Sequence, residues 1–211
     1  MPPTTKPAKL PVVAVFDFDG TLTRRDSLLP FLRMTVGSWK FWWGLLVMSP
    51  VLMAYALKLI PNWQAKESVL IYFLEGLTEE KLKRLGQRFA IQKLPKLLRP
   101  KALQRLRWHQ EQGHKTVLVS ASLEAYLLPW AEAMGFDRAI GTRLEVCNKL
   151  LKGSILGKNC YGQEKVERLR DMLGELNQYC IYAYGDSRGD RELLAAATFP
   201  YYKDFPRQNY S

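Results

Sequence analysis

Short apolar runs, separated by longer amphipathic segments, account for most of the chain. Three runs, residues 12–16, 115–120 and 179–184, are rich in β-branched or aromatic side chains and are too short for free-standing helices. They predict buried strands that lead into polar loops. The remaining elements predicted beyond residue 120 are a helix over 123–134, a short strand near 139–140, a hairpin over 144–156, helices over 163–173 and 191–197, and a last strand over 199–202.

The alternation of strands and helices predicts an α/β fold built on a parallel sheet with right-handed crossovers. Strand signals are missing over residues 28–113, where prolines divide or end the predicted helices. This helical insert follows the first strand, so we expect it to form a small cap over the carboxyl edge of the sheet. The predicted organisation is a leader over residues 1–9, a core of residues 10–25 and 100–211, and a helical cap over residues 26–99.

Composition is typical of a folded protein, since 47% of the 211 residues are hydrophobic and 24% are charged. The three cysteines, Cys147, Cys160 and Cys180, are widely spaced and form no CxxC pair, which argues against a disulfide framework or a zinc site. A reducing, cytoplasmic environment is therefore expected. The polar start MPPTTKPAKL precedes an apolar run without a small-residue cleavage site, so we predict a disordered leader and no signal peptide.

The formal net charge of +11 is unevenly distributed along the chain. Residues 78–115 hold eleven Lys or Arg against three Glu, a local net charge of +8. Three explanations suit such a stretch: a nucleic acid, an anionic membrane surface, or a merely solvated helix face. The sequence contains no recognisable nucleic-acid-binding motif, so no nucleic-acid partner is expected.

Two aspartates stand where the first predicted strand ends. In VVAVFDFDGTLT, Asp17 and Asp19 are two positions apart and are followed at once by Gly20. If the strand geometry continues, both side chains point the same way at the carboxyl end of the strand, where open α/β sheets place their ligands. Carboxylates held this close repel each other unless a cation joins them. Mg²⁺ fits because it accepts carboxylates, waters and a substrate phosphate.

Further reactive groups follow at other strand ends and loops. Ser120 closes the second strand, Lys165 lies in the helix over residues 163–173, and Asp186 and Asp190 lie in GDSRGD after the strand over 179–184. Taken singly, each has an ordinary explanation as a helix N-cap, a solvated lysine or a turn. Their combination, in this order on an α/β chain, favours one shared site.

In these segments the sequence resembles the haloacid dehalogenase-like phosphatases, over nearly all of residues 12–202. DFDGT resembles the first motif of that family, LVSAS the second, Lys165 in YGQEKV the third and GDSRGD the fourth. GTRLEV, followed by LGKNCYGQEKV, resembles the branch that contains phosphoserine phosphatase, which inserts a small helical cap after the first motif. The resemblance implies a Rossmann-like parallel sheet core and a phosphoric monoester hydrolase activity.

The resemblance also implies a role for each acidic residue. Asp17 matches the nucleophile that forms an aspartyl-phosphate, and Asp19 matches the general acid that protonates the leaving group and then activates water. Mg²⁺ would be held by the Asp17 carboxylate, the Asp19 backbone carbonyl and Asp186. Asp190 is expected to support that shell or a bound water, without binding the metal directly.

A second group of residues is expected to contact the phosphoryl oxygens. Ser120 and the backbone amides near Gly20 and Ala121 would donate hydrogen bonds to these oxygens, and Lys165 would add a positive charge. A catalytically idle scaffold would not need to keep these groups together with the acidic residues. The sequence therefore favours an enzyme over a scaffold.

Residues 41–57, FWWGLLVMSPVLMAYAL, carry no charge, and tryptophans cluster near the ends of this segment, as they do in membrane segments. One crossing would separate Asp17 from Ser120 and Asp186, and two crossings would leave about eight residues on each side of Pro50, against the ~17 that a span needs. Two interpretations stay open. The segment forms the cap's own core and its contact with the sheet, or part of the cap lies in the plane of an anionic membrane surface.

The cap also bears on the substrate class. Asp26 stands nine residues after Asp17, where phosphoserine-specific members of the branch carry an acid that recognises the substrate's amino group. Those members also use a cap arginine for the substrate's carboxylate, and residues 62–77 contain no arginine. Two substrate classes are therefore retained: a phospholipid phosphate such as phosphatidylglycerophosphate, and a small soluble phosphomonoester such as phosphoserine. The sequence leaves the oligomeric state open.

Overall fold

The computed structural model describes residues 10–206, so the leader predicted over residues 1–9 lies outside the described residues. The strands are β1 (Val12–Phe16), β2 (Lys115–Leu123), β3 (Arg138–Thr142), β4 (Leu144–Cys147), β5 (Leu150–Ile155), β6 (Cys180–Gly185) and β7 (Phe199–Tyr202). The helices are α1 (Leu28–Val36), α2 (Ser38–Val47), α3 (Ser49–Ala56), α4 (Asn62–Leu74), α5 (Glu79–Gln92), α6 (Pro100–Glu111), α7 (Glu124–Ala133), α8 (Gln163–Leu173) and α9 (Arg191–Ala195).

Five strands form one sheet in the order β3-β2-β1-β6-β7, and every neighbouring pair in it is parallel. The other two strands, β4 and β5, form an antiparallel hairpin. In the centre of the sheet, Phe16 of β1 lies opposite Leu118 of β2 and Tyr184 of β6. The predicted α/β class, with a parallel sheet and a helical insert after the first strand, is confirmed.

The central strand β1 is buried on both faces because helices cover both sides of the sheet. Val13 and Val15 belong to a core layer that includes Val166 of α8. Ala14 and Phe16 belong to the larger layer on the other face, which also contains the buried residues of the insert. A strand covered on both faces needs apolar residues at every position, which explains the uninterrupted apolar run before Asp17.

Helices α1 to α6 lie between β1 and β2 in the chain, and the name insert is used from here on for α1 to α5. α2 turns Phe41 and Gly44 inward, and the rings of Phe41 and Phe73 of α4 lie 5.8 Å apart. A Cβ on Gly44 would come within 2.5 Å of the Phe73 ring, so the glycine allows the two helices to approach closely. The inward face of α2 is therefore part of the insert's own core.

The β4–β5 hairpin is joined to this insert through the backbone. Leu151 N–H donates to Leu77 O at 2.8 Å. Gly153 has a φ of +80°, and a Cβ there would meet the Ile71 backbone at 2.4 Å, so the position requires glycine. A hairpin from the second half of the chain therefore packs on the insert. The predicted division, which assigns only residues 26–99 to the cap, leaves this hairpin in the core and stays a proposal.

Several element boundaries differ from the sequence prediction by one to three residues. β2 continues beyond Ser120 because Leu123 still pairs with Thr142 of β3 after a register shift. The helix predicted over residues 191–197 ends at Ala195. Within residues 10–206, none of the helices combines the length and the apolar character that a bilayer crossing requires.

Candidate active site

The carboxyl edge of the sheet brings the predicted residues together. Asp17 follows β1 directly, Ser120 lies on β2, and Asp186 follows β6, and β1 is hydrogen-bonded to both of these neighbours. Lys165 enters from the first turn of α8, where it is 2% exposed. The strand order therefore explains why segments more than a hundred residues apart in sequence share one site.

Lys165 forms the buried electrostatic centre of the site. Its Nζ lies 2.5 Å from Asp17 Oδ1 and 2.6 Å from Asp190 Oδ1. Burial opposes the charge on Lys165, but the two carboxylates outweigh it and hold the pKa of the ammonium above its ordinary value. Burial raises the pKa of Asp17 to about 6, with Lys165 opposing the rise and Asp190 adding to it. Lys165 therefore favours an ionised Asp17 near neutral pH.

Asp190 is anchored through both of its carboxylate oxygens. Oδ1 accepts from Lys165, while Oδ2 accepts from the Ser187 hydroxyl at 2.8 Å and from the Ser187 and Asp186 amides at 3.0 and 3.2 Å. Burial would raise the pKa of Asp190, but Lys165 and Ser187 outweigh burial and lower it. These contacts make Asp190 a fixed anion that holds Lys165 and the loop of Asp186 in position.

Three carboxylates form a group that could hold a metal ion. Asp17, Asp186 and Asp190 each offer an oxygen, and these oxygens all lie within 4.8 Å of one another. Asp186 accepts a hydrogen bond from Thr21 Oγ1 at 3.2 Å and is partly exposed, which leaves room for another ligand. A Cβ on Gly20 would meet the Asp186 carboxylate at 2.1 Å, so this position requires glycine. Oxygen donors of this kind fit Mg²⁺.

Asp19 lies in a different environment from Asp17. β1 ends at Phe16 and residues 18–22 form a turn, so the expected strand alternation does not continue to the second aspartate. Asp19 Oδ2 accepts from the Ser122 hydroxyl at 2.6 Å and from the Ser27 hydroxyl at 3.0 Å. Burial and the nearby charge of Asp26 raise the pKa of Asp19 to about 7, against these two hydrogen bonds. Asp19 can therefore both give and accept a proton near neutral pH.

The predicted phosphate-contacting groups lie around the same edge. Ser120 is buried, and its Oγ accepts from Ser122 N–H at 3.1 Å. Gly20 N–H donates within its own turn to Thr23 Oγ1 at 3.2 Å, and the Ala121 carbonyl accepts hydrogen bonds of its own. The turn and the end of β2 thus surround Asp17 with fixed backbone groups.

Lys66 is a residue that sequence reasoning missed. It reaches from α4 of the insert to the core, where its Nζ donates to Ala121 O at 2.5 Å and to Asn159 Oδ1 at 2.7 Å. Burial lowers the pKa of Lys66 to about 8, while Asp19 and Asp26 oppose the fall. A lysine on an amphipathic helix has no local feature that distinguishes it from a solvated one. The sequence offered one indirect signal, since Asn159 lies in the motif LGKNCYGQEKV.

A cavity of about 350 Å³ lies beside Asp17 and Asp19. Asp26 lines it, although this carboxylate is exposed and also accepts from the Leu28 and Leu29 amides, so it helps to begin α1. Other lining residues come from the sheet edge, from α7 and α8 and from the insert: Asp17, Asp19, Leu52, Tyr55, Lys66, Ser120, Tyr126 and Lys165. The cavity therefore has a charged floor on the sheet and a partly apolar wall on the insert.

Comparisons with known proteins address the family of this chain. A family model described as haloacid dehalogenase-like hydrolase matches residues 14–195. Protein CicA of Caulobacter vibrioides is 38% identical over 197 residues, which cover 92% of this chain and 87% of CicA. A phosphoserine phosphatase of Idiomarina loihiensis is 30% identical over 126 residues, 59% of this chain and 54% of that protein. A crystal structure of a protein with unknown function from Bordetella pertussis Tohama I matches the fold with a TM-score of 0.78 at 24% identity, over 90% of this chain and 88% of its own.

Proposed function

Because this chain belongs to the haloacid dehalogenase-like hydrolase family and is a phosphoric monoester hydrolase, we propose that it is a Mg²⁺-dependent phosphatase that works through an aspartyl-phosphate on Asp17. The observation that carries the proposal is the buried contact of Lys165 with both Asp17 and Asp190, beside Asp186. This contact of Lys165 would keep the nucleophile Asp17 ionised and would place a positive charge where a phosphoryl group would bind.

The two catalytic carboxylates, Asp17 and Asp19, have different surroundings, and these suit them to different roles. Asp17 is held next to a cation, which suits a nucleophile that must be ionised. Asp19 is held by the hydroxyls of Ser122 and Ser27 and feels the negative charge of Asp26, which suits an acid that stays partly protonated. When two neighbouring carboxyl groups lie in different environments, their pKa values differ. One can then stay ionised as a nucleophile while the other keeps a proton and acts as an acid.

The proposed reaction has two steps. In the first, an Asp17 oxygen attacks phosphorus, the bond from phosphorus to the alkoxide oxygen breaks, and Asp19 gives its proton to the departing alkoxide. In the second, Asp19 takes a proton from water, the water oxygen attacks phosphorus, and the bond to Asp17 breaks to release phosphate. Each proton transfer would contribute ~10²- to 10⁴-fold to the rate.

The charge on the phosphoryl group must be neutralised for an anionic nucleophile to approach it. Lys165 and the Ser120 hydroxyl are proposed to donate to the phosphoryl oxygens, together with the amides near Gly20 and Ala121. Bound Mg²⁺ would supply further positive charge for the same purpose. The proposed metal ligands are Asp17 and Asp186 through their carboxylates and Asp19 through its carbonyl. Asp190 would act on this shell through Lys165 and the loop of Asp186.

For the substrate we propose a lipid phosphate such as phosphatidylglycerophosphate, handled by a peripheral protein on the inner face of the cytoplasmic membrane. The supporting observation is the wall of the cavity, where Leu52 and Tyr55 of α3 provide apolar surface close to the catalytic groups. The helical cap of residues 26–99 would then present this wall to the lipid. Soluble relatives of the substrate would bind through the phosphate alone.

A small soluble phosphomonoester such as phosphoserine is the second candidate. Asp26 and Lys66 line the same cavity with opposite charges, a pair that would suit the ammonium and carboxylate of a phosphorylated amino acid. The relative from Idiomarina loihiensis is named a phosphoserine phosphatase. No arginine lies in residues 62–77, so Lys66 would have to take the carboxylate alone.

A substrate screen with purified protein tests these proposals. Phosphoserine, other soluble phosphomonoesters and detergent-dispersed lipid phosphates are compared in Mg²⁺ and in EDTA, with phosphate release as the readout. We expect turnover in Mg²⁺, none in EDTA, and the highest kcat/KM for a lipid phosphate. Equal turnover in EDTA would contradict the metal requirement, and a clear preference for phosphoserine would select the second candidate.

A further inference from the structure

The insert carries an apolar stripe that the folded chain leaves in solvent. On α2, Trp39, Trp42, Trp43 and Leu46 are spaced three and four residues apart, so they lie along one side of the helix. Trp39 is 83% exposed, whereas Phe41 on the other side is buried against α4. Packing of the insert's own core therefore uses one face of α2 and leaves most of the tryptophan face exposed to solvent.

The exposed apolar surface continues beyond α2. None of the residues of α3 is buried, and Leu59 in the turn that follows is 73% exposed. We name the exposed apolar residues of these segments the cap apolar face: Trp39, Trp42, Trp43, Leu46, Val47, Met53, Leu57, Leu59 and Trp63. A face with this many large side chains exceeds the scattered apolar residues that ordinary protein surfaces carry, and surfaces of this kind mark binding sites.

The chain segment that carries the cap apolar face has charges of one sign, although Glu67, Glu164 and Glu167 share a pocket with Trp63 at its end. Residues 27–66 contain no Asp or Glu, and they include four basic residues. Arg33 lies over the Trp42 ring, 5.8 Å from its centroid, and Lys40 and Lys58 are exposed beside the apolar positions. Tryptophan, leucine and cations on one surface suit the headgroup region of an anionic bilayer. Tryptophan and methionine are also enriched in protein interfaces, but lysine is depleted there, so Lys40 and Lys58 favour the bilayer.

The cap apolar face and the catalytic cavity share a helix. Leu52 and Tyr55 of α3 line the cavity that contains Asp17, while Met53 of the same helix and Leu57 directly after it belong to the exposed face. α3 is only eight residues long, so the mouth of the cavity lies close to that face. A surface bound at the face would stand next to the entrance of the site.

We propose that the cap apolar face docks this protein on an anionic lipid bilayer, with the cavity of Asp17 opening beside the bound surface. The proposal deepens the proposed hydrolysis of a lipid phosphate and rests on it for its biological purpose. Docking places the tryptophans at the level of the headgroups and keeps the sheet, with the catalytic residues at its carboxyl edge, in water. Lys40 and Lys58 stay at the anionic surface, where their charge adds to the attraction.

Flotation with lipid vesicles tests the proposal. Vesicles of phosphatidylcholine alone are compared with vesicles that contain about one third phosphatidylglycerol, at low and high salt. The variant carries Trp39→Ser and Trp43→Ser, and the matched control carries Ile91→Ser, an exposed apolar residue of α5 outside the face. We expect binding to the anionic vesicles that falls with salt, and a loss on the order of tenfold in the tryptophan variant only.

Brominated lipids supply an independent readout, because four of the six tryptophans lie on the face and contact quenching reports their depth. Circular dichroism checks that the variants keep the fold, which is expected because all three replaced side chains are exposed. Absence of wild-type binding at low salt would overturn the docking proposal, as would equal loss in the control variant. Binding is measured without turnover, so its failure would leave the proposed phosphatase chemistry untouched.

Discussion

Lys165 provides the most quantitative test of the site. Its side chain is 2% exposed, and its Nζ lies 2.5 Å from Asp17 and 2.6 Å from Asp190. Lys165→Met removes the charge while keeping a side chain of similar length, so two buried carboxylates lose their cation. Removal of one partner from a buried ion pair costs about 3–5 kcal/mol of unfolding free energy. A domain of ordinary stability, about 5–15 kcal/mol, would stay folded with this loss.

The cost should depend on pH in a defined direction. In the wild type the pKa of Asp190 is lowered, so this residue stabilises the fold above its unfolded pKa, and the variant loses that contribution. The pKa of Asp17, already raised to about 6, should rise further without Lys165. A carboxyl group with a raised folded pKa destabilises the fold increasingly as pH rises above its unfolded pKa. Both effects make the variant's deficit small near pH 4 and large near pH 8.

Urea denaturation in EDTA at pH 5 and pH 8 measures this deficit directly. Lys158→Met is the matched control, because Lys158 contacts Glu164 and Glu167 at 3.6 and 3.5 Å while its side chain is 73% exposed. Loss of an exposed ion pair of this kind should lower the free energy of unfolding by less than about 1 kcal/mol. The reasoning would be refuted if Lys165→Met cost no more than the control at pH 8, or if its deficit were larger at pH 5.

Further outcomes follow from individual contacts. Gly20→Ala should abolish Mg²⁺-dependent turnover and lower the free energy of unfolding by about 1–2 kcal/mol. The reason is that a Cβ on this residue, whose φ is +84°, would meet the Asp186 carboxylate at 2.1 Å. Gly37→Ala is the control, because Gly37 has nearly the same φ, +83°, but open space where a Cβ would stand. Calorimetric titration should therefore show lost Mg²⁺ binding in Gly20→Ala and not in Gly37→Ala. With phosphoserine as the substrate, Lys66→Met should raise KM at least about tenfold with a smaller change in kcat. Because the Lys66 pKa is about 8, wild-type kcat/KM should fall as pH rises through 8, and this fall should be absent from the variant. Unchanged KM and pH profile would exclude a contact of Lys66 with the substrate.

The fold could be predicted from the sequence largely because its signals are local. The run before Asp17 is apolar at every position, as a strand covered on both faces must be, and each later strand is bounded by glycine, proline or polar residues. The end of β2 could not be placed in this way. Its extension to Leu123 depends on pairing with Thr142, a contact between segments distant in sequence.

Prediction of the site was less complete for a related reason. The motifs name Asp17, Lys165 and Asp190, and the sheet order brings them together, but the sequence did not predict that Lys165 contacts both aspartates. Lys66 reaches Ala121 because α4 packs over the sheet edge, and Ser122 reaches Asp19 across 103 residues. Such contacts depend on how the insert docks on the core, which no local pattern encodes.

The covalent intermediate on Asp17 tests the central claim most directly. The enzyme is mixed with substrate and Mg²⁺, quenched in acid within the first turnover, digested and examined by mass spectrometry. We expect one phosphoryl group on the peptide that contains Asp17, removable by hydroxylamine, and neither this label nor turnover in Asp17→Asn. A label on another residue, or turnover in Asp17→Asn close to that of the wild type, would contradict the proposed nucleophile.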